Sequence, residues 1–228
     1  MISLKNVSKI YDLLGKTFVA LDNVNLDIET GEFVAVLGES GSGKSTMLNL
    51  IAGLDLPSEG SITVNGLNVI TADDKTLSAF RNKTIGFIFQ SFHLEPMRTA
   101  VANVMVPLLF ANHSRTKARQ MALESLRLVG LADKSYNRAS QLSAGQCQRV
   151  AVARAIVNKA GILLADEPTG NLDANTGRGI IRILTEFNRS QGATVLLVTH
   201  DEEVAKQAPR HVEIKNGRLV KDTGRREV

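Results

Sequence analysis

Nine consecutive residues, Gly38, Glu39, Ser40, Gly41, Ser42, Gly43, Lys44, Ser45 and Thr46, contain the eight-position pattern G-x-x-x-x-G-K-[ST], which Gly38 to Ser45 fill. Their types suit one chemistry, the holding of a chain of phosphates. Glycines let the backbone curl so that successive N–H groups face the β- and γ-phosphates. Lys44 adds a compact positive charge, and the Ser45 hydroxyl can ligate Mg2+. The plainer alternative is a Gly/Ser-rich turn with a chance lysine. Against it, the segment lies between FVAVL (33–37), an apolar run of buried-strand length, and a helical pattern from Lys44 to about Ala52. That context is what the motif requires.

A second set of residues is acidic. ILLADEP places Asp166 and Glu167 at the carboxyl end of an apolar strand, the edge where open parallel sheets gather ligands. Adjacent acids there are costly unless they meet counter-ions. Asp166 can hold the Mg2+ shell and Glu167 can take a proton from an attacking water. A strand that simply ends in solvent, with Pro168 as its stop, is the structural alternative, and the phosphate loop weighs against it. Gln90 ends the run IGFIF (85–89) and could reach the metal or the water; His200 follows ATVLLV (193–198). Each is ambiguous alone, a polar strand terminus or a structural histidine. They gain meaning because their strands would end along the Asp166 edge. Tyr11 is either a core aromatic or a ring that stacks on adenine. LSAGQ (142–146) opens a helix, whose first N–H groups and positive dipole end form a further anion site.

The elements that must position these residues follow from pattern. ISLKNVSKIY and TFVALDNVNLDI alternate as half-buried strands do, and turns fall at Thr30-Gly31 and Asn65-Gly66. The first ninety residues therefore read as strands punctuated by turns, apart from the helix after the phosphate loop. From Ser91 to about Asn137 glycines thin out. Ala118, Met121, Ala122, Ser125, Leu126 and Val129 recur on one helix face, which predicts a helical lobe inserted in an α/β core. Helices are predicted at about 143–158 and 174–190, strands at 161–165 and 193–198, and a closing hairpin in HVEIKNGRLVK.

Composition excludes several classes. With 228 residues, 43% hydrophobic and 22% charged, the chain can bury a sizeable core and does not resemble a disordered segment. No apolar run approaches the roughly 18 residues of a membrane span, and MISLKNVSKIYD lacks the apolar centre of a signal peptide. The single Cys147 excludes an internal disulfide and fits a reducing cytosol. These features predict a soluble intracellular protein. A net charge of +4 permits contact with nucleic acid or anionic lipid without demanding it. With no tryptophan and two tyrosines, an aromatic platform for bases is not expected.

In their order and spacing, Tyr11, GESGSGKST, Gln90, LSAGQ with its helix, ILLADE with NLD, and His200 resemble the nucleotide-binding subunit of ATP-binding cassette (ABC) transporters. The resemblance covers essentially the whole chain. It implies an α/β fold: a P-loop NTPase core with a mainly parallel sheet, an N-terminal antiparallel β-subdomain and an inserted helical subdomain. The single domain would span 1–228, with the core at 1–90 and 140–228 and the helical lobe at 91–139. It implies ATP and Mg2+ as ligands and ATP hydrolysis as the activity. Tyr11 would stack on adenine, and Gly38 to Thr46 would hold the phosphates. Ser45 and Gln90 would ligate Mg2+, supported by Asp166; Glu167 would be the general base and His200 would hold the γ-phosphate and attacking water. Copies would pair head to tail on ATP, so that Ser143 and Gly145 act on the partner's nucleotide and Asp173 lies at the seam.

The lobe would receive a helix of a membrane permease, with Phe92, Leu94, Pro96 and Met97 as candidates for contact or as plain lobe core. Within the family, QSFHLEPMRTAVANVMVPLL and DEPTGNLD look most like bacterial ATPases serving lipoprotein release, macrolide and peptide export, haem efflux, antimicrobial-peptide resistance and cell division. The implied location is the cytoplasmic face of a bacterial membrane, with no nucleic-acid partner. Two departures stand out: Ala144 and Cys147, where the family usually has glycine and glutamine. A soluble ABC ATPase acting on nucleic acid or ribosomes is the alternative; such members carry a long coiled coil or two cassettes. A small-molecule kinase would leave LSAGQ and His200 without a role.

Overall fold

The computed structural model describes residues 1–13 and 15–224. Alternating side chains in the first thirty positions produce two long antiparallel strands, β1 (Ile2–Leu13) and β2 (Lys16–Ile28). They bury Ile2, Leu4, Val7, Val24, Leu26 and Ile28 on one face. The chain then forms β3 (Phe33–Leu37), the phosphate loop, α1 (Lys44–Ile51), β4 (Glu59–Val64) and the short β5 (Leu67–Asn68). Next come α2 (Asp74–Thr84) and β6 (Ile85–Ile88). The lobe holds α3 (Ala100–Val104), α4 (Val106–Phe110) and α5 (Arg115–Leu128). The core returns with α6 (Ala144–Ile156), β7 (Ile162–Asp166), α7 (Ala174–Gln191) and β8 (Thr194–Thr199). A short α8 (Glu202–Ala205) leads to the hairpin of β9 (Arg210–Lys215) and β10 (Arg218–Asp222).

Two sheets result. One is antiparallel with order β2-β1-β4-β5; the other has order β10-β9-β3-β8-β7-β6 and is parallel except for β10. The two-residue period divides the parallel strands between two cores. Val34 and Val36, Ile162 and Leu164, and Leu196 and Val198 face a cluster shared with α1 and the antiparallel sheet. Phe33 and Ala35, Leu163 and Ala165, and Val195 and Leu197 face a cluster shared with α6, α7 and the lobe. Burial on both faces is why these strands read as unbroken apolar runs. Each buried Val, Leu, Ile or Phe among them contributes roughly 1.5–3 kcal/mol relative to exposure, which pins the register that aligns the strand ends.

That alignment positions the chemistry. Leu37 pairs with Thr199, Asp166 with Val198 and Ile88 with Ala165. The residues following β3, β6, β7 and β8 therefore emerge along one carboxyl edge.

The structure departs from the sequence expectation in three places. The first ninety residues are not all strands and turns after the phosphate loop, because α2 occupies Asp74–Thr84. Its only buried side chains are Leu77 and Phe80, too few to display a helical period, yet Asp73 caps it by accepting from the Thr76 amide at 2.8 Å. Residues 91–99 are irregular, and the first lobe helix begins after Thr99, whose hydroxyl accepts from the Ala102 amide. β6 ends at Ile88, so Gln90 stands two residues beyond the strand.

A candidate nucleotide site at the carboxyl edge of the sheet

The phosphate loop is shaped by what surrounds it. Gly43, at φ 105°, lies so close to β2 that a Cβ would meet the Ala20 carbonyl oxygen at 2.3 Å. A Cβ on Gly38 would meet the Ile214 carbonyl oxygen at 2.4 Å. Backbone atoms cannot yield as side chains can, so only glycine permits this curl. Lys44 is 5% exposed and donates to the Gly38 and Glu39 carbonyl oxygens, both at 2.8 Å. Its ammonium is 4.0 Å from Glu167 Oε1. Burial lowers the Lys44 pKa, and the nearby Glu167 and Asp166 charges oppose that shift.

Asp166 and Glu167 do different things. Asp166 Oδ1 accepts from the Ser45 hydroxyl at 2.9 Å. Burial raises the Asp166 pKa and the Glu167 charge adds to the rise, while the Ser45 hydrogen bond and Lys44 counter it. A carboxylate penalised in this way is a good partner for a cation. Ser45 Oγ and Asp166 Oδ1 are hard oxygen donors, and Gln90 lines the same cleft as Ser45. Mg2+ takes few protein oxygens and keeps waters or substrate phosphates for the rest, so these residues fit it. Glu167 leaves the strand at φ 44°, an uncommon conformation outside glycine, while its amide donates to the Val198 carbonyl oxygen at 3.0 Å. The turn swings its carboxylate against His200, whose Nδ1 is 2.7 Å from Oε2.

Gln90 and Glu167 line two clefts at this edge. One, of about 230 Å3, also includes Phe18, Ala20 and the loop from Ser40 to Thr46 except Ser42. The other, of about 610 Å3, includes Gly38 to Ser40, His200, Glu202 and Glu213. Ser42 keeps a buried hydroxyl without a hydrogen-bond partner.

Tyr11 is held by neighbours that sequence reasoning did not find. Its hydroxyl donates to Asp55 Oδ2 at 2.8 Å; Lys9 Nζ donates to Asp55 Oδ1 and to the Leu56 carbonyl oxygen, both at 2.7 Å. Lys9 Nζ also sits 4.8 Å from the Tyr11 ring centroid, covering one face. Burial works against the Asp55 carboxylate, but hydrogen bonds from Lys9, Tyr11 and the Leu56 amide outweigh it and lower its pKa. Phe18, half-exposed, lies opposite Tyr11 in the β1–β2 ladder and lines the phosphate-loop cleft. The alternation in β2 was the only signal for Phe18; Lys9 and Asp55 carried none.

LSAGQ (142–146), the signature segment, lies elsewhere on the chain. Ser143 caps α6: its Oγ accepts from the Gln146 amide at 3.3 Å, and Gln146 Oε1 accepts from the Ser143 amide at 3.0 Å. A Cβ on Gly145 would meet Thr176 Cγ2 at 2.4 Å. Ser143, Gly145 and Gln146 line a separate cleft with Lys134, Arg149 and Thr176. Thus the chain brings Ser45, Gln90, Asp166, Glu167 and His200 together with the phosphate loop, and keeps Ser143 and Gly145 apart from them. Asp173 caps α7, accepting from the Asn175 and Thr176 amides at 3.0 and 3.1 Å and from the Thr176 hydroxyl at 2.6 Å.

A phosphate loop between β3 and α1, with paired carboxylates ending β7, defines a nucleoside triphosphatase of the P-loop class. The family model described as ABC transporter matches residues 21–170, and the chain belongs to that family. It is the family's ATP-binding and ATP-hydrolysing cassette. The lipoprotein-releasing system ATP-binding protein LolD of Myxococcus xanthus is 46% identical over 219 residues, covering 96% of this chain and 98% of that protein. The macrolide export ATP-binding/permease protein MacB of Hyphomonas neptunium is 44% identical over 227 residues; the match covers 100% of this chain but 35% of MacB. Among solved structures, the dimeric post-hydrolysis state of the cassette MJ0796, from Methanocaldococcus jannaschii, bound to ADP and Pi, has a TM-score of 0.92 at 43% identity and covers 100% of both chains. Among the described residues, no helix is long and apolar enough to cross a membrane.

Proposed function

We propose that the chain powers a membrane transporter by closing, as a head-to-tail pair of identical copies, on two ATP molecules. Each nucleotide would lie between the phosphate loop of one copy and the signature segment of the other. One observation carries this reading: Gly38 to Thr46, with Glu167 and His200, line one group of clefts, whereas Ser143, Gly145 and Gln146 line a separate cleft. A second copy supplies what one chain keeps apart. The dimeric state of MJ0796 with ADP and Pi supports the same arrangement.

In this reading Tyr11 stacks on adenine with the face that Lys9 leaves open, and Phe18 adds apolar contact. Lys44 and the loop amides bind the phosphates. Ser45 and Gln90 would hold Mg2+, with Asp166 behind Ser45; the ion, when bound, offsets charge on the phosphate oxygens. Glu167 accepts the proton of the attacking water, its carboxylate poised between Lys44 and His200. With Nδ1–H donating to Glu167, His200 keeps Nε2 for the γ-phosphate or the water. Asp173 orders the start of α7 and would lie at the seam. The lobe at 91–139 would dock a permease through Phe92, Leu94, Pro96 and Met97, beside the exposed Leu109 and Phe110. The protein would then work at the cytoplasmic face of a membrane. Likeness to LolD and MacB supports an exporter or a lever-driving complex.

Sedimentation decides between composite and single-chain sites. The Glu167→Gln variant should form a dimer with ATP. Adding Ser143→Arg should abolish that dimer while leaving ATP bound to the monomer. Undiminished dimer in the double variant would remove the assignment of Ser143 to the partner's nucleotide.

A further inference from the structure

Arg154 lies near the end of α6, and no carboxylate among the described residues offsets its charge. Its guanidinium instead donates from Nη1 to the His93 carbonyl oxygen at 2.6 Å and from Nη2 to the Phe92 carbonyl oxygen at 2.9 Å. His93 is held at φ 46°, left-handed for a non-glycine residue. Two further side chains grip the same stretch. Gln148, fully buried, donates Nε2 to the Pro168 carbonyl oxygen at 2.8 Å and makes a long contact of 3.5 Å to that of Phe89. Asn171 Nδ2 donates to the Gln90 carbonyl oxygen at 3.1 Å. Carbonyls on both sides of Gln90 are therefore taken by side chains, three of the four contacts coming from α6.

Taking a charge out of water without a counter-ion is costly, and an apolar side chain of the same length would fill the space without that cost. Charge-assisted bonds to carbonyl oxygens recover part of it and fix direction. A left-handed residue adds local strain. The arrangement thus gives up stability to hold one backbone stretch, and that stretch carries Gln90. The same helix begins at Ser143, and through Gln148 it also holds the residue after Glu167.

We propose that Arg154, assisted by Gln148, is a positioning residue for Gln90: it clamps the 89–93 backbone to α6, so that the Gln90 side chain moves with the helix that carries Ser143. This rests on the role given to Gln90 above. The clamp also gives the two ends of α6 different duties. Its first turn meets one nucleotide, and its last turns set the metal ligand of the other.

The test uses the purified full chain, with ATP hydrolysis followed across Mg2+ concentration, ATP binding measured without Mg2+, and thermal unfolding. Arg154→Met should fold with undiminished stability, and its binding of ATP without Mg2+ should change less than about twofold. Its kcat should fall roughly tenfold to a hundredfold, the scale of a small misplacement, and half-maximal rate should need more Mg2+. Combined with Gln90→Ala, it should add no further loss. Arg154→Lys, which keeps the charge but cannot fork to two carbonyls, should recover part of the rate; it carries the same test should the methionine variant not fold. Unchanged kcat and Mg2+ demand in Arg154→Met, beside an impaired Gln90→Ala, overturn the clamp alone. Losses that add in full overturn it too. A silent Gln90→Ala removes the metal role of Gln90 itself and the clamp with it.

Discussion

Two helices of this chain begin at anion-ready ends, and they are finished differently. α1 starts at Gly43 with no side chain capping it, so its first amides face the cleft unpaired. α6 starts at Ser143 inside a complete capping box with Gln146, so its first amides are already partly satisfied. A phosphate arriving at α1 meets free donors and Lys44. One arriving at α6 must replace or share a cap of about 1 kcal/mol. In the proposed pair this difference would set an order of events: the phosphate loop would bind nucleotide by itself, and the signature end would engage only a phosphate already held opposite it. Closure would then depend on ATP rather than on the two surfaces alone.

The largest expected effect lies on the phosphate-loop side. Glu167→Gln should cut turnover roughly 10²–10⁴-fold, the usual range for general acid–base help, while equilibrium dialysis shows ATP affinity unchanged. Hydrolysis at the normal rate would take Glu167 out of the mechanism.

Alanine at the glycines separates the two ends more finely. Gly43→Ala forces a Cβ against a carbonyl oxygen at a positive φ and should cost about 1–3 kcal/mol of stability, with loss of ATP binding by the monomer. Gly145→Ala meets only a threonine methyl, so monomer binding should survive and ATP-driven pairing should weaken. Thr176→Ser in the same chain, which removes that methyl, should restore pairing. Equal loss of monomer binding in both variants would erase the contrast.

The smallest effect is a pH dependence. The folded Asp166 pKa is raised above its unfolded value, chiefly by burial, so its ionisation penalises the folded state. That penalty is absent below the unfolded pKa and complete above the folded one. Asp166→Asn should therefore raise the melting temperature of the nucleotide-free protein at pH 8 and change it little at pH 3. A variant less stable than the parent at pH 8 would show that the Ser45–Asp166 bond outweighs burial.

Much of this was legible before folding. The phosphate loop, the DE pair and the serine that opens α6 are local patterns, each complete within a few residues. The strand periods were legible for the same reason, since burial on both faces leaves an uninterrupted apolar run. α2 was not, because two buried residues on an otherwise polar helix leave almost no period. Lys9 and Asp55 were invisible for another reason: they are 46 residues apart and become partners only when β1 pairs beside β4.

The amino-acid order alone thus determined which groups could do chemistry, since motif geometry depends on neighbours along the chain. Tertiary structure decided which of them share a cleft. Parallel registers bring Gln90, Asp166, Glu167 and His200 to one edge beside Lys44, while α6 carries Ser143 to another surface and its far turns back against the segment after Gln90. Those placements depend on contacts between residues far apart in sequence, where no local pattern records the partner.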